Sequence, residues 1–195
     1  MSKTLEVYLS LGSPFSYLAS TQLPGLIERT KCNIVYQVID MYKVFDLSGN
    51  PGPNDIPAKR QYVIKDLFDW CKYYNVTFNV PSRLFINNGA AAAAAIAVEK
   101  SGKLPEFIVR GFRAYMVEDL DIQDPQVLGK LAAEVGADGE AVAAAVTDPV
   151  VLQEVENRNK AAVERGVFGV PTFFVGDDMY WGNDRLVLVE KALLS

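Results

Sequence analysis

Residues 5–18, Leu-Glu-Val-Tyr-Leu-Ser-Leu-Gly-Ser-Pro-Phe-Ser-Tyr-Leu, leave this chain little choice about how its folding begins. Leu5, Val7 and Leu9 alternate with other residues at the period of two that marks a strand. Gly12 and Ser13 interrupt the pattern. Pro14 then stands where a first helical residue belongs, because its missing N–H costs nothing there and its fixed φ suits a helix. Ser13 is therefore the N-cap of a helix in which Phe15, Leu18 and Leu23 are the apolar positions. A strand that runs straight into a helix leaves free N–H groups and the positive end of the helix dipole at the turn. Such a turn suits an anion, a thiolate included.

A second strand is expected over Asn33–Ile39, so the first three elements form a right-handed parallel crossover. A Pro/Gly-rich loop, Leu47–Pro57, follows and is read either as a linker or as a wall over the Ser13 turn. From Ala58 to about Val163 the pattern is helical. Tyr62, Val63, Leu67, Trp70, Cys71 and Tyr74 recur at spacings of three and four. Ala90 to Ala95 form a run suited to close packing between helices, preceded by a plausible cap in Asn87-Asn88-Gly89. After Gly166 the chain returns to strands around a hairpin turn at Gly176-Asp177-Asp178, and Asn183 is expected to cap a closing helix.

The chain of 195 residues has no histidine. That removes Ser-His and Cys-His nucleophilic chemistry and any expectation of a transition-metal site, so no metal is expected. A serine without an adjacent base is a poor nucleophile, though it remains a good hydrogen-bond donor. The net charge of −5 with no basic cluster argues against nucleic acid and anionic membranes as partners. No apolar run is long enough to span a bilayer, and no signal-peptide pattern precedes the first strand. Cys32 and Cys71 flank no motif and read as free thiols in a reducing, cytoplasmic compartment. A chain of this length buries roughly 70% of its unfolded surface and needs no disulfide or metal.

Near the C-terminus, Gly166-Val167-Phe168-Gly169-Val170-Pro171-Thr172 leads into an apolar strand. Paired with the Ser13-x-x-Ser16 helix start, it resembles the thioredoxin-fold superfamily, in which a C-x-x-C motif opens the first helix and a cis-proline loop faces it. Serines at both cysteine positions imply that dithiol exchange is absent. Ser13-Pro14-Phe15-Ser16-Tyr17-Leu18, Val167–Thr172 and Trp181-Gly182-Asn183-Asp184-Arg185-Leu186 together resemble the 2-hydroxychromene-2-carboxylate isomerase family. That family is related to kappa-class glutathione transferases and DsbA-type oxidoreductases.

The resemblance implies an α/β, thioredoxin-like fold split by a helical insertion domain: residues 1–48 and 166–195 form the discontinuous thioredoxin-like part, and 49–165 the insertion. It also implies glutathione as cofactor, an isomerase acting on a small aromatic carboxylate, and a homodimer. Ser13 is then the catalytic group, donating a hydrogen bond to the glutathione thiolate. Pro14, Phe15, Val170, Trp181, Gly182, Asn183 and Asp184 join it in binding glutathione, Val170 through its backbone beside a cis-proline and Asn183 and Asp184 at the γ-glutamyl end. Asn50, Asn54 and Lys59 are the substrate-site candidates. A kappa-like transferase and a non-catalytic glutathione-binding module are the alternatives.

Overall fold

The computed structural model describes residues 2–52 and 56–195. β1 (Thr4–Leu9) feeds α1 (Pro14–Thr30), which returns to β2 (Asn33–Val38). β1 and β2 are parallel, in register from Thr4↔Asn33 to Leu9↔Val38, as the crossover reading requires. Next come α2 (Met41–Ser48), α3 (Pro57–Tyr74), α4 (Asn88–Glu99), α5 (Leu104–Met116), α6 (Pro125–Glu134), α7 (Gly139–Ala145) and α8 (Pro149–Glu164). The chain closes with β3 (Thr172–Val175), β4 (Asp178–Trp181), a 3-10 turn (Asn183–Arg185) and α9 (Leu186–Leu194).

The sheet runs β2-β1-β3-β4, with β3 antiparallel to β1 and β4 antiparallel to β3. Val175 pairs with Asp178 across a two-residue turn in which Gly176 has φ +61°. Central β1 sends Leu5, Val7 and Leu9 into the main core, where Phe107, Phe112 and Phe173 are its largest fully buried neighbours. Helix starts follow local chemistry: Pro14, Pro57, Pro125 and Pro149 each open a helix, and Asp40, Asp124, Asp138 and Asp148 cap one through their side chains.

Two sequence expectations are corrected, and one helix is added to them. α2 was not anticipated; Asp40, which accepts from the Tyr42 and Lys43 N–H groups, starts it in a stretch without strong periodicity. The segment between α3 and α4 is irregular, held by Ser82 on Asp119, Tyr115 on the Arg83 carbonyl, and Asn87 on Gln123. Asn183 does not cap the last helix: it opens the 3-10 turn and its side chain makes no capping bond, so α9 starts three residues later.

Candidate active site

The turn after β1 is tied down from both sides. Ser13 N–H donates to the Ser10 carbonyl at 3.0 Å, and Tyr17 N–H donates to Ser13 O at 3.0 Å. Ser13 Oγ accepts the Ser16 N–H at 3.2 Å, as an N-cap does. Among the described residues no acceptor takes the proton of the Ser13 hydroxyl itself, which therefore remains available to donate. The first turn of α1 contains no acidic side chain, so no carboxylate of its own neutralises the positive end of this 17-residue helix. Ser13 is only 3% exposed, and a charge held there sits in a poorly screened environment. Pro14 is the first helical residue; Phe15 turns toward α3, packing with Leu18, Leu67 and Cys71.

The second face comes from β3. Tyr8 pairs with Thr172, so continuing the register past the ends of β1 and β3 brings Ser10 alongside Val170 and the turn alongside the Gly166–Pro171 loop. The Val170–Pro171 bond is cis. The Val170 side chain packs with the cluster of Tyr8, Val44 and Phe174, and among the described residues its backbone enters no hydrogen bond outside the strands. Thr172 Oγ1 closes the loop on the Gly169 carbonyl at 2.7 Å. Asn50 belongs to this face: its Nδ2 donates to the Phe168 carbonyl at 2.7 Å, and its Oδ1 accepts from Gly52 N–H at 2.9 Å. Asn50 thereby links the loop after α2 to the cis-proline loop.

The third face follows β4. Trp181 is 48% exposed and its ring lies tilted at 59° against Phe168, with ring centroids 5.0 Å apart. Gly182 donates to the Pro171 carbonyl at 3.0 Å and holds φ +107°; a Cβ there would lie 2.5 Å from Asp184 Oδ1, so both conformation and space call for glycine. Asn183 is 3% exposed and its Nδ2 is buried with no partner among the described residues, while its carbonyl accepts from Tyr74 Oη at 3.3 Å. A buried amide donor left unmade is costly unless something comes to meet it. Asp184 is paired with Arg185 at 2.5 Å. Lys59 lies exposed in the first turn of α3, and Asn54 lies outside the described residues.

Sequence reasoning missed several residues of this region. Phe45 of α2 would lie 3.3 Å from a Cβ on Gly52 and 3.6 Å from one on Gly169, filling the space between the two loops. Asp66 of α3 faces Asp184; burial first and that carboxylate second push its own carboxyl above the usual range. Asn88 presses on Gly12, directly before Ser13. The one available signal was the doublet Asn87-Asn88, since a single asparagine suffices to cap a helix. Cys32 and Cys71 are buried and free. Among the described residues no three His, Cys, Asp or Glu side chains come together as a metal site, and no helix is long and apolar enough to cross a membrane.

A helix start facing a cis-proline across the end of a mixed sheet is the thioredoxin-like arrangement, here with serine leading the helix, and the DSBA-like thioredoxin domain matches residues 4–194. A 2-hydroxychromene-2-carboxylate isomerase of Sphingobium xenophagum is 33% identical over all of both chains, and one of Pseudomonas putida is 34% identical over 97% of this chain and 93% of its own. A solved 2-hydroxychromene-2-carboxylate isomerase superposes with a TM-score of 0.87 at 29% identity, covering 97% of this chain and 94% of its own. The chain belongs to the 2-hydroxychromene-2-carboxylate isomerase family. Glutathione S-transferase kappa 1 of Rattus norvegicus is a more distant relative, 23% identical over 98% of this chain and 91% of its own. The cytosolic disulfide reductase DsbM of Pseudomonas aeruginosa, solved with GSH, shares the fold at a TM-score of 0.67 and 18% identity, over 97% of this chain and 95% of its own.

Proposed function

We propose that this chain is a glutathione-dependent isomerase interconverting 2-hydroxychromene-2-carboxylate and trans-o-hydroxybenzylidenepyruvate in the breakdown of aromatic compounds. The observation that carries the reading is Ser13: a helix-capping hydroxyl whose oxygen is engaged by Ser16 while its own proton is unspent. Glutathione fits the residues present, because an unspent hydroxyl, an unpartnered buried amide at Asn183 and a hydrogen-bond-free backbone at Val170 answer a thiolate, a carboxylate and a peptide respectively. When bound, it supplies a thiolate that adds reversibly to the substrate's conjugated system and makes a fixed double bond rotatable.

The chain's own work is to hold that sulfur ionised and the tripeptide in place. Ser13 donates to the sulfur, and the start of α1, with no acidic side chain in its first turn, adds a positive field. A hydrogen bond to a charged group contributes about 1.5–3 kcal/mol, equivalent to about one to two pKa units. That brings a thiol of pKa ~8.5 close to neutrality. Asn183 and Asp184 take the γ-glutamyl end, with Gly182 giving them room. Pro14, Phe15 and Trp181 line the remaining walls, and Asn50 and Lys59 serve the aromatic acid. The division into residues 1–48 with 166–195 and an insertion over 49–165, a homodimeric state and a cytoplasmic location belong to the same reading. The two free cysteines support that location.

The test is the pH dependence of the bound thiolate's ultraviolet absorbance in wild type and Ser13→Ala. The variant is expected to bind glutathione with nearly unchanged affinity, to titrate about one unit or more higher, and to regain part of its lost activity in alkali. An unchanged titration midpoint rejects the donor role. Release of free glutathione at the end of turnover, rather than a stable conjugate, separates an isomerase from a transferase.

A further inference from the structure

Asn88 does more at this site than its place in α4 requires. It is 1% exposed, and its Nδ2 donates to the Ile86 carbonyl at 3.2 Å. Its Oδ1 is buried and, among the described residues, accepts no hydrogen bond. Capping does not explain it, because Asn87 already caps α4, accepting from Gly89 N–H at 2.9 Å. Asn88 Oδ1 lies instead 2.0 Å from the point that a Cβ on Gly12 would occupy, with its Cγ at 2.9 Å. The amide fills the side-chain space of residue 12. Gly12 is absent from the positive-φ glycines, so glycine is required there for room and not for backbone conformation.

The start of α4 is itself held on two sides. Asn87 N–H donates to Gln123 Oε1 at 2.8 Å, and a Cβ on Gly89 would lie 3.5 Å from Asp40 Oδ2, the cap of α2. Asn88 is thus a fixed stop against which the Gly12–Ser13 turn rests. Ser10, on the other flank of Gly12, is fully buried: its carbonyl accepts from Ser13 N–H at 3.0 Å and its N–H donates to Ser16 Oγ at 3.5 Å, while its own Oγ has no partner among the described residues.

We propose that Asn88 is a positioning residue for Ser13: by occupying the side-chain space of residue 12 it sets the turn's backbone, and so the direction in which Ser13 presents its hydroxyl proton. The proposal rests on the reading of Ser13 as donor to the glutathione sulfur. Stability alone does not reveal the role, because Asn88→Ala removes an unpaired buried acceptor while opening a cavity.

Three variants test it: Asn88→Ala, Gly12→Ala and the two combined. Without glutathione, Gly12→Ala lowers the thermal midpoint, and adding Asn88→Ala recovers most of that loss, because the methyl then has space. With glutathione, Asn88→Ala keeps its KM for glutathione while the thiol titrates about half a pH unit higher, cutting the thiolate and kcat at neutral pH about twofold, with recovery in alkali. If Gly12→Ala does not fold, folding of the double variant is the expected result. Losses that simply add in the double variant, or failure of that variant to fold, overturn the contact. A thiol midpoint that moves in Ser13→Ala but not in Asn88→Ala overturns the positioning role alone. A midpoint unmoved in Ser13→Ala overturns the donor reading, and the glutathione-free thermal comparison still judges the contact.

Discussion

α3 and α4 are consecutive helices of opposite character. α4 is built around six consecutive alanines, all buried, and it packs against α5, α6, α7, α8 and β2. α3 is longer and carries Tyr62, Phe68, Trp70, Tyr73 and Tyr74, yet of its eighteen residues only Leu67 and Cys71 are buried. Its main packing partner is α1. Side-chain size therefore did not decide which helix went inside. Alanine has the highest helix propensity and lets neighbouring backbones approach closely, so α4 acts as a rigid central post. Its first turn presses on the Gly12 turn, while its last residue, Glu99, forks onto Arg158 of α8 with Nη2 and Oε2 at 2.9 Å. α3 lends the site Tyr74 and Asp66 from a thinly packed support.

The largest effect is expected where the post is tightest. Ala93 is fully buried among neighbours on several sides. Ala93→Leu adds three carbons to a packed interface, a change that costs about 1–3 kcal/mol and occasionally more. For a chain of this size that lowers the melting temperature by roughly 3–10 °C. A thermal scan showing no loss would mean that α4 has slack, and the contrast with α3 would fail.

Much of the fold was legible because its signals are local. Ser13 with Pro14, the Gly176 turn and the Asn87 cap are each readable from a few adjacent residues, and the parallel crossover follows from strand-helix-strand spacing. What was not legible depends on partners distant in sequence. Tyr62 sits on the apolar period of α3 and is still 63% exposed. Asn183 reads as a cap but starts a 3-10 turn, since Gly182 at φ +107° and the Tyr74 bond decide its course. The Asn50–Phe168 link and the Asn88–Gly12 contact join residues 118 and 76 positions apart (168 − 50 and 88 − 12), beyond the reach of any local pattern.

The next effect is pH-dependent and belongs to the buried side of the comparison. Tyr115 of α5 is 4% exposed, donates to the Arg83 carbonyl at 2.6 Å, and burial pushes its phenol up to about 12. An unfolded chain releases that proton near pH 10. Between about pH 10 and 12 the folded state therefore holds more protons than the unfolded one, and stability falls as pH rises through that window. Tyr115 alone adds a slope of at most about 1.4 kcal/mol per pH unit. Tyr36 of β2, also pushed up to about 12 by burial, adds a second contribution of the same sign. Urea midpoints measured from pH 9 to 12 are expected to fall less steeply in Tyr115→Phe than in wild type. Parallel curves would show that the phenol is not sheltered.

The smallest effect is expected on α3, and it tests the comparison from its other side. Tyr73 is 77% exposed, its ring resting edge-on against Trp70 at 5.4 Å and tilted against Tyr74 at the same distance. Tyr73→Ala leaves no cavity, strands no buried polar group and keeps a good helix former, so its cost is expected to stay within about 0.5 kcal/mol. The aromatic contacts offset part of what alanine's better propensity gains, which keeps the sum near zero. Because Trp70 and Tyr74 still pack beside Leu67 and Cys71, the Tyr74–Asn183 hydrogen bond and glutathione binding are expected to persist. Thermal scans with and without glutathione check both statements together. A loss above about 1 kcal/mol would mean that this face of α3 is covered in solution after all. A lost glutathione shift with normal stability would mean instead that α3 holds the site more tightly than its sparse packing implies.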